Sequence, residues 1–353
     1  MTEPATTPAL TAALAKLVRR IDLLDDDIAG ALGEILRGEA TDVAAAGFIV
    51  ALRTKGETTD ELAALVRTMH EHSTRVVVAD GAIDTCGTGG DRAGTINVST
   101  MAALVAAGAG ARVVKHGNRA ASSACGSADV LEALGVAIDL GPEGVARCVD
   151  EAGVGFCFAP RYHPGMRFLG PARRALGVPT TFNFLGPLAN PARVTRQAVG
   201  VSDEHMAARM LGALRELGSE RALVFHGDDG LDELTTTTTS TVHQLDGGEV
   251  STFTVDPRDH DMPLVTVAAL AGGDAATNAE HVRAVLEGHR GPTRDVAVLN
   301  AAAALLVAGI AADLTDGVRL AHDAIDAGYA AEALESLVRV SNAAKADEVA
   351  ETR

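Results

Sequence analysis

Apolar residues at Leu10, Ala13, Leu14, Leu17, Ile21 and Leu24 recur at three- and four-residue steps, so the chain opens on a helix with one buried face. Asp25 to Asp27 then head the run IAGALGEILR, where negative charge suits a helix N-terminus, and Gly38 can close it. TDVAAAGFIVALRTKG begins on Thr41 or Asp42 as a cap and runs out at Gly56; TTDELAALVRTMHEH opens with Thr58 and Glu61 in capping-box spacing. Residues up to about 72 therefore read as a small helical unit. Its apolar positions, including Leu14, Leu17, Ile21, Phe48 and Leu52, exceed what so small a unit can bury within itself. The unit needs an outside apolar surface, either its own large domain or a second subunit, and some of its surface is expected to meet a second copy of the chain in a twofold contact.

Beyond residue 72 the period changes. Short β-branched runs alternate with alanine-rich helices: STRVVV, RVVKH, VAIDL, VGFCFA, RQAVGVS and ERALVFHG read as strands, and NVSTMAALVAAGAGA, GSADVLEALG, PEGVARCVDEAG and EHMAARMLGALRELG as helices. TSTVHQLDGGEVSTFTV reads as a hairpin turning at Gly247 and Gly248, and VLNAAAALLVAGIA as a closing helix. Strand, helix and strand in alternation imply a mostly parallel sheet covered by helices, whose ligands sit beyond the carboxyl ends of the strands. DTCGTGGD, KHGNR, APRYHP and HGDDGLDE each follow a predicted strand, so these loops should share one rim.

Composition narrows the partners. With 47 acidic against 30 basic residues the formal net charge is -17, a field that repels nucleic acid over most of the surface. Cys86, Cys125, Cys148 and Cys157 form no C-x-x-C pair and have no His at ligand spacing, which excludes a zinc site or a disulfide framework and fits reduced thiols in a cytoplasm. MTEPATTPAL lacks the basic and apolar regions of an export signal, and no run approaches the ~18 residues of a membrane span, so neither export nor a membrane anchor is expected.

The loops carry the chemistry. A glycine-rich turn such as DTCGTGGD points backbone amides into one cavity and suits an anion, phosphate above all. It is neither a P-loop nor a dinucleotide fingerprint, since Arg92 stands where the third glycine would be, and alone it reads equally as a tight strand-to-helix turn. Asn97, Ser99 and Thr100 offer side-chain donors in the first turn of the next helix. KHGNRAASSACGSAD adds Lys115 as a point charge, Asn118 as donor and acceptor, and Ser122, Ser123, Gly126 and Ser127 as a second anion nest; His116 reads as a structural imidazole. HGDDGLDELT gathers Asp228, Asp229, Asp232 and Glu233, an all-oxygen set suited to Mg²⁺, or else a plain acidic turn. A phosphate nest facing a carboxylate pair points to a magnesium-bound phosphorylated substrate, a diphosphate.

GTGGD, NVST, KHGNR followed by SS and GSADVLEALG, FAPRYHPGMR, LGVPTTFNFLGPLANP and DGLDELT stand in the order and spacing of the anthranilate phosphoribosyltransferases, a family of tryptophan biosynthesis. The chain resembles that family densely over residues 84 to 240. The resemblance implies an α/β enzyme with a small N-terminal helical domain plus a large α/β domain on a mostly parallel central sheet, of the nucleoside phosphorylase and phosphoribosyltransferase type. The expected division is 1–72 and 73–353, with helices from about 165–190 joining the first unit in space. It further implies a homodimer, the substrates phosphoribosyl diphosphate and anthranilate, and Mg²⁺ at two ions per subunit. By the same resemblance the sugar diphosphate meets Gly87, Gly90, Asp91, Thr95, Asn97, Val98, Ser99, Thr100, Lys115, His116, Gly117, Asn118, Arg119, Ala120, Ala121, Ser122, Ser123 and Ser127. Ser99, Asp232 and Glu233 hold the metal, and Gly87, Asn118, His163 and Arg173 meet anthranilate, with Met166 beside His163. Lys115, Asn118 and Arg173 are the expected catalytic set. Pro179, Arg167 and Ala124 depart from the commoner family pattern, which bears on the aromatic-acid channel. Two other expectations stand beside this one: a pyrimidine nucleoside phosphorylase-like enzyme using free phosphate, and a non-enzymatic nucleic-acid-binding relative, which would carry a basic stripe and a degraded metal pair.

Overall fold

The computed structural model describes residues 7–120 and 124–351. Four helices come first: α1 (Pro8–Leu17), α2 (Asp25–Leu36), α3 (Asp42–Lys55) and α4 (Thr59–Glu71). The predicted capping box is formed at α4, where Thr58 Oγ1 accepts from the Glu61 amide at 3.1 Å and Glu61 Oε2 accepts from the Thr58 amide at 2.9 Å. Glu61 is fully buried; its other oxygen takes the Leu23 amide at 2.8 Å and Lys55 Nζ lies 2.7 Å from Oε2. That carboxylate explains why the first helix stops at Leu17 rather than running on to Leu24. The chain turns through Arg20 at φ 57° to bring the Leu23 amide to Glu61, and Ile21 and Leu24, in helical phase by sequence, end up exposed.

The remainder alternates. β1 (Ile83–Gly87), α5 (Val98–Gly108), β2 (Val113–Gly117), α6 (Ser127–Ala133), α7 (Pro142–Ala152) and β3 (Val154–Phe158) build one side of the sheet. The short helices α8 (Ala159–Tyr162), α9 (Gly170–Leu176) and α10 (Phe182–Leu185) lead to β4 (Arg196–Gly200), α11 (Glu204–Glu216) and β5 (Arg221–Gly227). The hairpin β6 (Ser240–Asp246) and β7 (Glu249–Val255) turns at Gly247 and Gly248 as expected, and α12 (Ala275–Leu286), α13 (Pro292–Ala308), α14 (Leu314–Asp326) and α15 (Tyr329–Glu351) follow. The strand order is β3-β2-β1-β4-β5-β6-β7, parallel through β5 and antiparallel across the hairpin.

Two predicted strands are not strands. In STRVVV only Val76 is sealed while Val77 is exposed, and the backbone crosses between elements, the Thr74 amide donating to Tyr162 O and the Val76 amide to Pro191 O. The first strand is IDTCG itself, so the glycine turn begins at its end. In VAIDL the residues Val136, Ile138 and Leu140 are buried, but the backbone is satisfied by side chains: Ser341 Oγ takes the Ala137 amide and Tyr162 Oη donates to Leu140 O. Alternation marked a half-buried segment there without a strand partner.

Two cores lie on opposite faces of the sheet. Along β5, Leu223 and Phe225 enter one core with α5, α7, α13 and α15, while Ala222 and Val224 enter the other. That second core is continuous from Leu10 and Phe48 of the N-terminal helices through Leu169, Phe182 and Phe184 to Met206 and Met210 of α11. Leu17, Phe48 and Leu52, expected to face a second copy, are therefore buried within their own chain. The apolar residues left exposed near this unit are Val18, Ile21, Leu24, Val43 and Val50.

Candidate active site

All the predicted loops leave the carboxyl ends of parallel strands and meet at one rim. The turn after β1 is held down by β4: the Thr88 amide donates to Gly200 O at 2.9 Å, the Ser202 amide donates to Thr88 Oγ1 at 3.1 Å, and Ser202 Oγ donates to Gly89 O at 2.8 Å. Gly87 has no room for a side chain, because a Cβ there would collide with the Asp232 carboxylate. Gly89, at φ 65°, turns its amide back onto Asp232 Oδ2 at 2.7 Å. Among the described residues the amides of Gly90, Asp91 and Arg92 carry no hydrogen bond, which leaves an open anion nest at the tip.

Carboxylates and a cation face one another beneath this turn. Burial pushes the Asp232 carboxyl up, and the neighbouring Asp91 pushes it further. Burial, then Asp232, pushes Glu233 well above the usual carboxylate range, while contact with the Ser99 amide and the nearby Lys115 act in the opposite sense. Lys115, 2% exposed, donates from Nζ to Thr85 O at 2.7 Å and to Ser99 Oγ at 3.1 Å. Ser99, Asp232, Glu233 and Lys115 thus converge. Asp228 and Asp229 do not join them: Asp229 takes the Leu231 amide and the Thr235 and Thr237 hydroxyls, and Asp228 takes those of Thr239 and Thr241. They shape the loop.

The donor set fits a hard divalent cation. It offers oxygen only, and two desolvated carboxylates lose most of their penalty when a cation neutralises them. Among the described residues no group of three or more His, Cys, Asp or Glu side chains could ligate a metal alone. Water and substrate phosphate would complete the shell, the usual habit of Mg²⁺.

Other expected contacts spread around the rim. Asn97 spends its side chain on Cys125 O at 3.2 Å and on the amide of Asn278 at 2.8 Å, Val98 and Thr100 are buried, and Thr95 bridges to Ala271. Asn118 Oδ1 takes the Arg119 amide at 2.7 Å, its backbone oxygen accepts from Ser127 Oγ at 3.3 Å, and Nδ2 has no partner among the described residues. Gly117 packs against Ser127 and Phe156. Arg119 is turned onto Asp129 and Glu132, and Ala120 donates its amide to Asp129 at 3.0 Å. Ala121, Ser122 and Ser123 lie outside the described residues.

Facing the loops, His116 and His163 pack with ring centroids 5.1 Å apart and planes tilted by 52°, with Gly186 O and Ala189 O as their respective partners. Burial holds both imidazoles neutral, depressing His116 to about 3 and His163 to about 4. Arg173 on α9 is half-buried with no hydrogen-bond or ion-pair partner among the described residues, and burial alone lowers its pKa. Arg167 lies over the Phe168 ring, and Pro179 and Ala124 are exposed. Sequence reasoning missed Asp84 and Asn190, both sealed at the base of the rim. The signal was present, since each lies inside a quoted motif, but a single buried polar residue, in the strand for Asp84 and in a loop for Asn190, gives no periodic mark.

A rim of this construction on a parallel sheet, with a helical bundle packed against one face, defines a two-part glycosyl transferase. Residues 11–73 match the helical bundle domain of the glycosyl transferase family and residues 79–331 its a/b domain. An anthranilate phosphoribosyltransferase of Salinispora arenicola is 52% identical over 341 residues, covering 94% of this chain and 96% of that relative. The crystal structure of the Thermus thermophilus anthranilate phosphoribosyltransferase superposes with a TM-score of 0.89 at 40% identity, covering 94% of this chain and 99% of that one. The Saccharomyces cerevisiae enzyme in complex with PRPP and Mg gives a TM-score of 0.88 at 26% identity, covering 96% and 99%. The chain belongs to the anthranilate phosphoribosyltransferases. That membership sets aside the nucleoside phosphorylase and nucleic-acid-binding alternatives.

Proposed function

We propose that this chain carries out its family's transfer, moving the 5-phosphoribosyl group from phosphoribosyl diphosphate to the amine of anthranilate, with the rim residues in the following roles. The observation that carries the reading is the convergence of buried Lys115 with Ser99, Asp232 and Glu233 below an open amide nest. Gly90 and Asp91 at the turn, with Thr95, Asn97, Thr100 and Ser127 around it, would hold the sugar diphosphate. Ser99, Asp232 and Glu233 would hold Mg²⁺, two ions per subunit. The metal would supply charge neutralisation on the diphosphate oxygens.

At the anomeric carbon the bond to diphosphate oxygen breaks, with its electron pair leaving on diphosphate, and the bond to the amine nitrogen forms. Lys115 places an ammonium where the leaving charge grows. Anthranilate's aromatic amine is already neutral at pH 7, so what it needs from the protein is position. Arg173, unpaired and fork-shaped, would take its carboxylate, with the free Nδ2 of Asn118 as a second donor. No general base is required of the protein, and the ammonium proton formed on nitrogen passes to solvent or diphosphate. His163 would line the wall of the aromatic-acid channel. We place the enzyme in the cytoplasm as a homodimer joined through the N-terminal helices, on the exposed apolar residues there. The test follows the loss of anthranilate fluorescence with phosphoribosyl diphosphate and Mg²⁺. Asp232→Ala and Glu233→Ala should each lose most turnover, and wild-type rates for both in magnesium-limited buffer would refute the metal assignment.

A further inference from the structure

The ladder between β1 and β2 stops after one rung. Ile83 pairs with Val113, its amide on Arg112 O at 2.8 Å, whereas each other neighbouring pair of parallel strands keeps five paired positions. In a regular parallel ladder the next rung would use Val114 O, Thr85 O and the His116 amide. Each of these groups is bonded to a side chain instead. Asn190 Nδ2 donates to Val114 O at 2.7 Å, Lys115 Nζ donates to Thr85 O at 2.7 Å, and the His116 amide donates to Asp84 Oδ1 at 3.2 Å. Asn190 Nδ2 also donates to Asp84 Oδ2 at 2.7 Å, so Asp84 and Asn190 form one unit across the gap.

The substitution is costly. A backbone rung satisfies its groups without burying charge, while here a carboxyl at 0% exposure and an ammonium at 2% are both taken out of water. Sequence economy would favour the rung if stability were the only requirement. What the broken ladder provides is a path: Lys115 reaches across to β1 and ends at Ser99 Oγ. Asn190 is itself fixed, with its Oδ1 taking the Ala192 amide at 2.9 Å.

We infer that Asp84 and Asn190 are positioning residues for the transfer, a side-chain wedge that replaces the β1–β2 rung and thereby sets the Lys115 ammonium at the rim. The inference rests on the reading of Lys115 given above. It is tested by steady-state kinetics, calorimetry with phosphoribosyl diphosphate and thermal melts on Asn190→Ala, Lys115→Met and the double variant. Asn190→Ala should lower kcat roughly 10- to 100-fold and weaken sugar-diphosphate binding, with KM for anthranilate within about twofold of the parent. The double variant should lose no more than about what Lys115→Met loses alone, since both changes act through one ammonium. A lowered melting temperature with kcat intact, or losses that multiply in the double variant, would overturn the inference. Wild-type turnover in Lys115→Met would instead sink the reading of Lys115, and the inference with it. A second pair keeps the test open if Asn190→Ala does not fold. Asn190→Asp sets two carboxylates face to face, and adding Asp84→Asn restores a donor to the pair; kcat should recover about tenfold or more over Asn190→Asp. No recovery would overturn the wedge.

Discussion

Replacing Arg173 by Ala separates the two substrates. The side chain is half-buried, carries its charge without a partner among the described residues, and is desolvated with none of them to offset the cost. A carboxylate arriving on the fork would make a bidentate, charge-assisted pair, and truncating one member of such a pair costs about 2–5 kcal/mol. Because the site is half-open rather than sealed, the lower part of that range applies, about 2–3 kcal/mol, or a rise of roughly 30- to 150-fold in KM for anthranilate. Arg173→Lys should recover only a small part, since an ammonium cannot match the fork. Stability should hardly move, with the melting midpoint within about 2 °C of the parent, because no native partner is orphaned by the change. Calorimetry with phosphoribosyl diphosphate should give parental affinity. A loss of sugar-diphosphate affinity, or an unchanged KM for anthranilate, would show that the guanidinium serves the other substrate or neither.

His70, His116 and His163 should each make the fold less stable as the pH falls from 6.5 to about 4, because burial holds them neutral at about 4, 3 and 4 and they bind protons first in the unfolded chain. Asp84, Asp232 and Glu233 act in the opposite sense, burial raising Asp84 to about 6, Asp232 to about 7 and Glu233 well above the carboxylate range, so the readout is the difference between the parent and His163→Gln: in urea unfolding the parent's stability should fall relative to the variant's with a slope of about one proton, an unchanged slope counting against the account. Asp229→Ala should cost about 1–3 kcal/mol by orphaning the Thr235 and Thr237 hydroxyls and the Leu231 amide, read from chemical denaturation midpoints; a neutral result would mean the loop is not held by that carboxylate. Ile21→Glu with Leu24→Glu should sediment as a monomer if the exposed N-terminal residues pair two subunits, and a variant that stays dimeric would place the contact elsewhere.

The rim was legible because its parts obey local rules. The capping box of Thr58 and Glu61, the strands RVVKH and VGFCFA, and the hairpin at Gly247 and Gly248 all appear where short-range pattern put them. Failures came where a distant group overruled the period. Glu61 ended the first helix by claiming the Leu23 amide, Pro191 and Tyr162 drew Val76 and Thr74 out of any strand, and Ser341 satisfied Ala137. Phe48 and Leu52 were misassigned to a subunit contact for a related reason: their helix packs against α9, which comes more than a hundred residues later in the chain. Within the acidic loop, charge alone could not sort Asp232 and Glu233 from Asp228 and Asp229, because only the threonine hydroxyls folded over the latter pair distinguish them.

The shared core has a consequence in time. The N-terminal helices leave the ribosome first, yet the apolar cluster that takes in Phe48, Leu65 and Met69 is completed by Phe182, Phe184, Met206 and Met210. At ordinary elongation rates those arrive on the order of ten seconds later. During that interval the nascent helical unit holds apolar surface with no partner, so its native packing must await the middle of the chain. The segment that looks most like a separable module is therefore among the last to be completed, and slowed translation between residues 72 and 182 should lengthen its exposure to chaperones.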